Sequence, residues 1–323
     1  MTNGGQHELG SGVLGRRLVA VVGKGGVGKT TIAAALAQRC ARSGQSVLLL
    51  DIEGKHDLAR LFGHERLTAR PVELVAADPA GGRATIRACS VAPDTALLDY
   101  LHDHSLGMLA RRLGSSGAVD VIATSAPGIK DLLVLGRIKQ YFNAEVADVI
   151  IIDTPASGHA ITFLLGPNAL AEAVSTGTIK RQADEVRALL TDERSGVLLV
   201  TLAEETPVNE TVETAYALED RVGVALIAVV VNALVPSVPQ TSAADLGRLP
   251  DEEREALGAA LGFERSRVLR QNEQIRSLTQ RLPLPQLSVL RASTQNISSD
   301  DLGDIAESLN RQFGALARSG ATP

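Results

Sequence analysis

Nine residues near the amino terminus, GKGGVGKTT from Gly23 to Thr31, constrain this chain more than any others. They contain the spacing G-x-x-x-x-G-K-[ST], with Gly23, Gly28, Lys29 and Thr30 in the defining places. The apolar run LVAVVG (18–23) precedes them and a helix-prone stretch from Thr30 to Arg42 follows. Glycines let the backbone curl so that successive N–H groups point inward at phosphate oxygens. The helix that begins there adds its own donors and the positive end of its dipole. Gly23, Gly25, Gly26, Val27, Gly28, Lys29, Thr30 and Thr31 therefore form the expected cradle for the phosphates of ATP. Lys29 is expected to reach the β- and γ-phosphates, and the Thr30 hydroxyl to face Mg²⁺.

The rest of the pattern agrees with such a loop. Short apolar runs alternate with helical stretches: SVLLLDI (46–52), ATIRACSV (84–91), VDVIA (119–123), ADVIIID (147–153), GVLLVTL (196–202), VALIAVVVN (224–232) and the weaker PQLSVL (285–290). Strands apolar on both faces belong to a mostly parallel sheet covered by helices. Helices are expected over Thr30–Arg42, Asp94–Leu113, Val208–Arg221, 251–280 and 300–316. The last carries Leu302, Ile305, Leu309, Phe313 and Leu316 at helical spacing, which reads as a core-facing stripe. The predicted fold is α/β: a doubly wound, mostly parallel sheet flanked by helices, with a small helical insertion. Residues 1–15 are expected to be a mobile tail. Residues 16–323 are expected to form one domain, with the insertion at about 237–280.

Composition narrows the function. Hydrophobic residues make up 45% of the 323 positions, enough for a large core. A formal charge of −5 without a basic run argues against nucleic acid as the main ligand. The longest apolar stretch, Val222 to Val235, is shorter than the roughly 20 residues a bilayer requires, and no secretory h-region stands at the amino terminus. The expected compartment is cytoplasmic, without direct membrane insertion. Cys40 and Cys89 read as small buried hydrophobes rather than a disulfide framework. His102 and His104, two apart on a predicted helix, face different ways and do not make a metal pair.

Carboxylates at strand ends supply the second part of the expected site. Asp153 closes VIIID beside the loop, where it can hold Mg²⁺ or its water shell. Asp51 ends an earlier strand and is a second candidate for the metal shell.

Two of the chain's six lysines lie in the loop. Lys24 follows the first glycine, and the KGGVGKT form resembles the deviant Walker A ATPases. In that group the extra lysine crosses a dimer interface to the partner's nucleotide and acts as a finger in trans. The segment DTPASGHAITFLLGP (153–167) resembles the second switch of the arsenical-pump and tail-anchored-protein-targeting ATPases. Gly158 and His159 match its Gly-His pair, and Pro167 falls where that family has proline after its helix. The resemblance extends to APDTALLDYL (92–101), SAPGIKDLLVLGRIKQYF (125–142), TLAEETPVNETVE (201–213), with Glu210 and Thr211 in register, and VVVNALVP (229–236). It implies that Asn232 reads the adenine edge. It also implies a dimer, homodimeric or heterodimeric with a related ATPase subunit, that serves a protein client.

The departures are informative. Where the family has S-T-D-P-A-H after the second strand, this chain reads Asp51-Ile52-Glu53-Gly54-Lys55-His56. Glu53 takes the place of the water-positioning aspartate, with a reach longer by about 1.5 Å. Gly54 replaces a proline, which is expected to loosen the loop. A misplacement of about 1 Å can lower a rate roughly a hundredfold, so hydrolysis is expected to be slow, with Lys24, Lys29, Glu53 and Asp153 as the catalytic set. The family's zinc Cys-x-x-C and metalloid cysteine trio are both absent from the sequence.

Overall fold

The computed structural model describes residues 15–54, 57–78, 80–91, 128–237, 250–292 and 297–319. The expected tail apart from its last residue, the helix at 94–113 with His102 and His104, the strand at 119–123 and most of the loop at 236–250 lie outside the described residues.

The strands are β1 (Leu18–Gly23), β2 (Val47–Asp51), β3 (Val72–Val75), β4 (Ile86–Ser90), β5 (Val149–Asp153), β6 (Ser195–Leu202), β7 (Leu226–Leu234) and β8 (Gln286–Leu290). The helices are α1 (Lys29–Arg42), α2 (Asp57–Leu61), α3 (Ile129–Asn143), α4 (Ser157–Ala173), α5 (Thr178–Leu190), α6 (Glu205–Ala217), α7 (Asp251–Arg281) and α8 (Ser299–Ser319). The strands form one sheet in the order β3-β4-β2-β5-β1-β6-β7-β8. Every neighbouring pair is parallel except β3 with β4. The edge strand β3 escapes a sequence reading because it has only four, half-exposed residues.

Period-two alternation feeds two cores. Val19, Val21, Leu49, Val149, Ile151 and Leu198 face one layer, where α1 and α8 bring Ile32, Leu36, Leu309 and Phe313. Leu48, Leu50, Ile150, Ile152, Val197 and Leu199 face the other, where α3 to α6 bring Leu135, Phe163, Val186 and Val212. This is why the central strands are apolar at successive positions. Each buried Leu or Ile contributes roughly 1.5–3 kcal/mol. Helix α1 packs against both the sheet and α8, and its alanines Ala33, Ala34, Ala35, Ala37 and Ala41 are fully buried. The stripe of α8 behaves as expected, with Leu302, Ile305, Leu309 and Phe313 buried.

Two local features differ from the sequence reading. Pro167 lies inside α4, not after it. Helices α3 and α5 have no counterpart among the expected helices, although Leu132, Leu135 and Ile138 of α3 and Ala183, Val186, Leu189 and Leu190 of α5 are buried. Among the described residues, no helix is long and apolar enough to cross a membrane. Helix α7 spans 31 residues, of which only Leu278 is buried, within the stretch expected as an insertion.

Candidate nucleotide site

Parallel strands all end on one side, so the sheet gathers its carboxyl-terminal residues along one rim. Gly23 ends β1, Asp51 ends β2 and Asp153 ends β5, while Asn232 stands near the end of β7. The register sets Asp51 beside Asp153, and Asp153 beside Val21 two residues before the loop. Thr154 strengthens this junction: its buried hydroxyl donates to the Val21 carbonyl at 2.7 Å. No sequence signal singled out Thr154.

Two glycines of the loop are required by close approach. A Cβ on Gly23 would stand 2.2 Å from the Val200 carbonyl oxygen. Gly28 has φ +91°, and a Cβ there would stand 2.3 Å from Asn232 Nδ2. Gly25 and Gly26 are exposed at the tip, and Val27 is buried beneath it. Gly28→Ala is expected to lose roughly 1–3 kcal/mol of stability from backbone strain alone. Its rise in melting temperature with Mg·ATP should also shrink. Adding Asn232→Ala removes the clash but not the strain, so thermal melting of the two variants separates the causes.

The two loop lysines occupy different surroundings. Lys29 is buried, and its ammonium donates to the Lys24 carbonyl at 3.2 Å. Lys24 lies at the surface, about a third exposed, with its Nζ 2.6 Å from Glu210 Oε1 on α6. Thr30 donates its hydroxyl to Asp153 Oδ2 at 2.6 Å, and Thr31 follows in the first turn of α1. Asp153 Oδ1 is buried and accepts no hydrogen bond among the described residues. Burial, reinforced by the like charges of Asp51 and Glu53, pushes the Asp153 carboxyl up to about 6, against the hydrogen bond from Thr30 and the charge of Lys29. A buried carboxylate oxygen held in reserve beside a hydroxyl fits a cation such as Mg²⁺. Among the described residues, no three His, Cys, Asp or Glu side chains could hold a metal by themselves. Mg²⁺ suits that arrangement, because it takes few protein ligands and completes its shell with phosphates and water.

Thr30, Asp51, Glu53, Asp57, Leu58 and Asp153 line a cavity of about 20 Å³. That volume suits a single water. Glu53 is exposed at its edge. Gly54 adopts φ +66°, and its N–H donates to Asp51 Oδ1 at 2.8 Å. Proline, locked near φ −65°, cannot take this conformation. The glycine therefore gives the turn a different shape, beyond the loosening expected from sequence.

Asn232 is reached through a register shift in β7, and the next residue, Ala233, sits at φ +53°. A non-glycine residue in that region is uncommon and strained. The Asn232 amide donates to the Val27 carbonyl at 2.8 Å. The residue thus braces the loop, a contact that the strand-end reading did not anticipate. Its Oδ1 takes no part in that bond and is chemically able to accept from an amino group. His159 is exposed in the first turn of α4.

Cys40 and Cys89 are buried on opposite faces of the sheet. Burial raises both thiols, Cys89 to about 11. They cannot meet around a metalloid.

A glycine-rich loop between a parallel strand and a helix, with Lys29, Thr30 and Asp153 convergent on it, defines a P-loop nucleotide-binding protein. The particular family follows from comparison with known proteins. The model of the anion-transporting ATPase family matches residues 16–183, and the chain belongs to that family and is an ATPase. It is 34% identical over 245 residues to "ATPase BagA" of Mycobacterium tuberculosis, covering 73% of this chain and 71% of that protein. It is 26% identical over 323 residues to a protein of Halobacterium salinarum named as an arsenical pump-driving ATPase, covering 93% of this chain and 44% of the relative. It is 31% identical over 165 residues to "ATPase GET3" of Paracoccidioides brasiliensis, covering 49% of this chain and 45% of the relative.

Proposed function

We propose that this ATPase works in the cytoplasm as a dimer, with a second copy or a related subunit, that closes over Mg·ATP and so controls a protein client. The observation that carries the reading is the separation of the two lysines. Lys29 is buried inside its own cradle, whereas Lys24 stands at the surface beside Glu210. One ammonium serves the chain's own phosphates, and the other is available to a facing subunit. When bound, Mg·ATP supplies the triphosphate charge that the two subunits neutralise together and the phosphoryl group that leaves. Backbone amides of Gly25 to Thr30 and the Lys29 ammonium hold that charge. Thr30 and Asp153, with Asp51 behind them, hold the cation side. Asn232 orients the base through its side-chain oxygen while its amide nitrogen keeps the loop in place.

Sedimentation velocity with Mg·ATP tests the proposal. Wild-type protein should shift to a compact dimer. Lys24→Ala should lose that shift while keeping most of its nucleotide affinity in calorimetry. Unchanged closure in Lys24→Ala would remove the trans role.

Slow hydrolysis belongs to the same proposal. Glu53 replaces an aspartate, and Gly54 imposes a turn that a proline cannot make. These features also favour a second reading, in which the chain is a catalytically weak ATP-binding subunit of a hetero-oligomer. Steady-state turnover of the chain alone and with its co-purifying partner distinguishes the two. The opposed burial of Cys40 and Cys89 weighs against metalloid binding in either case.

A further inference from the structure

We infer that Glu210 is a positioning residue for Lys24: it holds the lysine within its own subunit and sets how much nucleotide is needed to release it for closure. This rests on the dimer-closure reading above. The two residues are 186 positions apart and meet only because β6, which leads into α6, pairs directly with β1, which leads into the loop. Their charged atoms stand 2.6 Å apart, with side chains 37% and 36% exposed.

Glu210 is the fixed member of the pair. Val208, Thr211, Val212 and Ala215 bury the inner face of α6. The Thr211 hydroxyl donates to the Pro207 carbonyl at 2.7 Å, and Arg281 at the end of α7 donates to Asn209, the neighbour of Glu210. Lys24 is the movable member, a four-carbon stem on an exposed loop beside Gly25 and Gly26. Its own carbonyl accepts the Lys29 ammonium, so both loop lysines have partners within the protein.

The strength of the pair suits a releasable hold. A partly exposed pair favours its bound geometry only modestly, by a factor of roughly two to five. A triphosphate across a closed, water-excluding seam offers the ammonium a stronger partner. Glu210 therefore opposes closure weakly at every nucleotide concentration. It also gives Lys24 a defined resting place, so the lysine does not stray to the phosphates of its own subunit.

The test uses the full chain, with its co-purifying partner where one is present, and an ATP analogue that resists hydrolysis, with Mg²⁺. Glu210→Gln keeps the size and hydrogen-bonding capacity of the side chain but removes its charge. The analogue concentration for half-maximal closure should fall roughly twofold to fivefold relative to wild type. The gap between the two proteins should narrow as salt is raised, since screening weakens the wild-type pair. In a Lys24→Ala background, which does not close, Glu210→Gln should neither restore closure nor alter nucleotide affinity in calorimetry. A midpoint unchanged or raised by Glu210→Gln, with melting temperature preserved, would overturn the inference while leaving the dimer reading intact. Failure of the wild type itself to close with the analogue would overturn both.

Discussion

Asp153→Asn is expected to abolish Mg²⁺-dependent turnover and, at neutral pH, to make the nucleotide-free protein more stable. Both effects have one cause. The Asp153 carboxyl is buried, stands near Asp51 and Glu53, and is pushed up to about 6. In the unfolded chain it titrates near 3.9. Between those values the folded state binds more protons than the unfolded one, so stability falls as pH rises through that window. Holding the ionised form in the folded protein at pH 7 therefore costs of order 1–3 kcal/mol. Asparagine removes the charge and still accepts from Thr30, but it buries an amide donor where Oδ1 stood. That donor takes back about 1 kcal/mol or more. The net rise in melting temperature should be a few degrees at pH 7. It should shrink markedly by pH 5, because the cost of ionisation fades through the window below 6 and is fully gone only below the unfolded value near 3.9, where the carboxyl is protonated in both states. Thermal melts at the two pH values check this. Loss of Mg·ATP stabilisation in the same variant locates the metal. A variant that still gained full stabilisation from Mg²⁺ would dismiss Asp153 as its ligand.

Glu53→Gln should lower the single-turnover rate by about a hundredfold or more, within the range that general-base and water-positioning groups contribute. Its effect on Mg·ATP affinity should be small, because Glu53 lies at the edge of the cavity and not in the phosphate cradle. Glutamine preserves length and polarity but cannot take a proton. Quenched-flow measurement on nucleotide-loaded protein reads the step directly. A rate equal to wild type would clear Glu53 of any part in activating water. Glu53→Asp is a useful companion, since it restores the shorter side chain of the family pattern on a turn that Gly54 shapes differently. If the rate rises, side-chain reach limits the wild type. If it falls, the turn has already been shaped around the longer residue.

The division between what could be read from the chain and what could not follows the range of the interactions. The loop from Gly23 to Thr31, the apolar strands, the strand-ending Asp51 and Asp153, and the stripe of α8 all express local periodicity or spacing. A reader of the sequence alone reaches them, and with them the class of ligand. The roles of particular contacts were less accessible. Asn232 was marked by its strand end, yet its bond to Val27 depends on β7 carrying a register shift across the rim from the loop. Glu210 belonged to a recognisable stretch, but nothing nearby in sequence pointed it at Lys24.

Short-range patterning therefore determined that this chain makes a parallel, helix-covered sheet with a phosphate cradle at the end of its first strand. The order of strands decided the remainder. Only the β2-β5-β1-β6 adjacency brings Asp51, Asp153, Lys24 and Glu210 to one rim. Only the backbone's actual path gives Gly54 its left-handed turn and Ala233 its strained one. Hydrophobic alternation records which face of a strand is buried. It carries no information on which strand lies beside it, and charges separated by more than a hundred residues meet or miss on that choice alone.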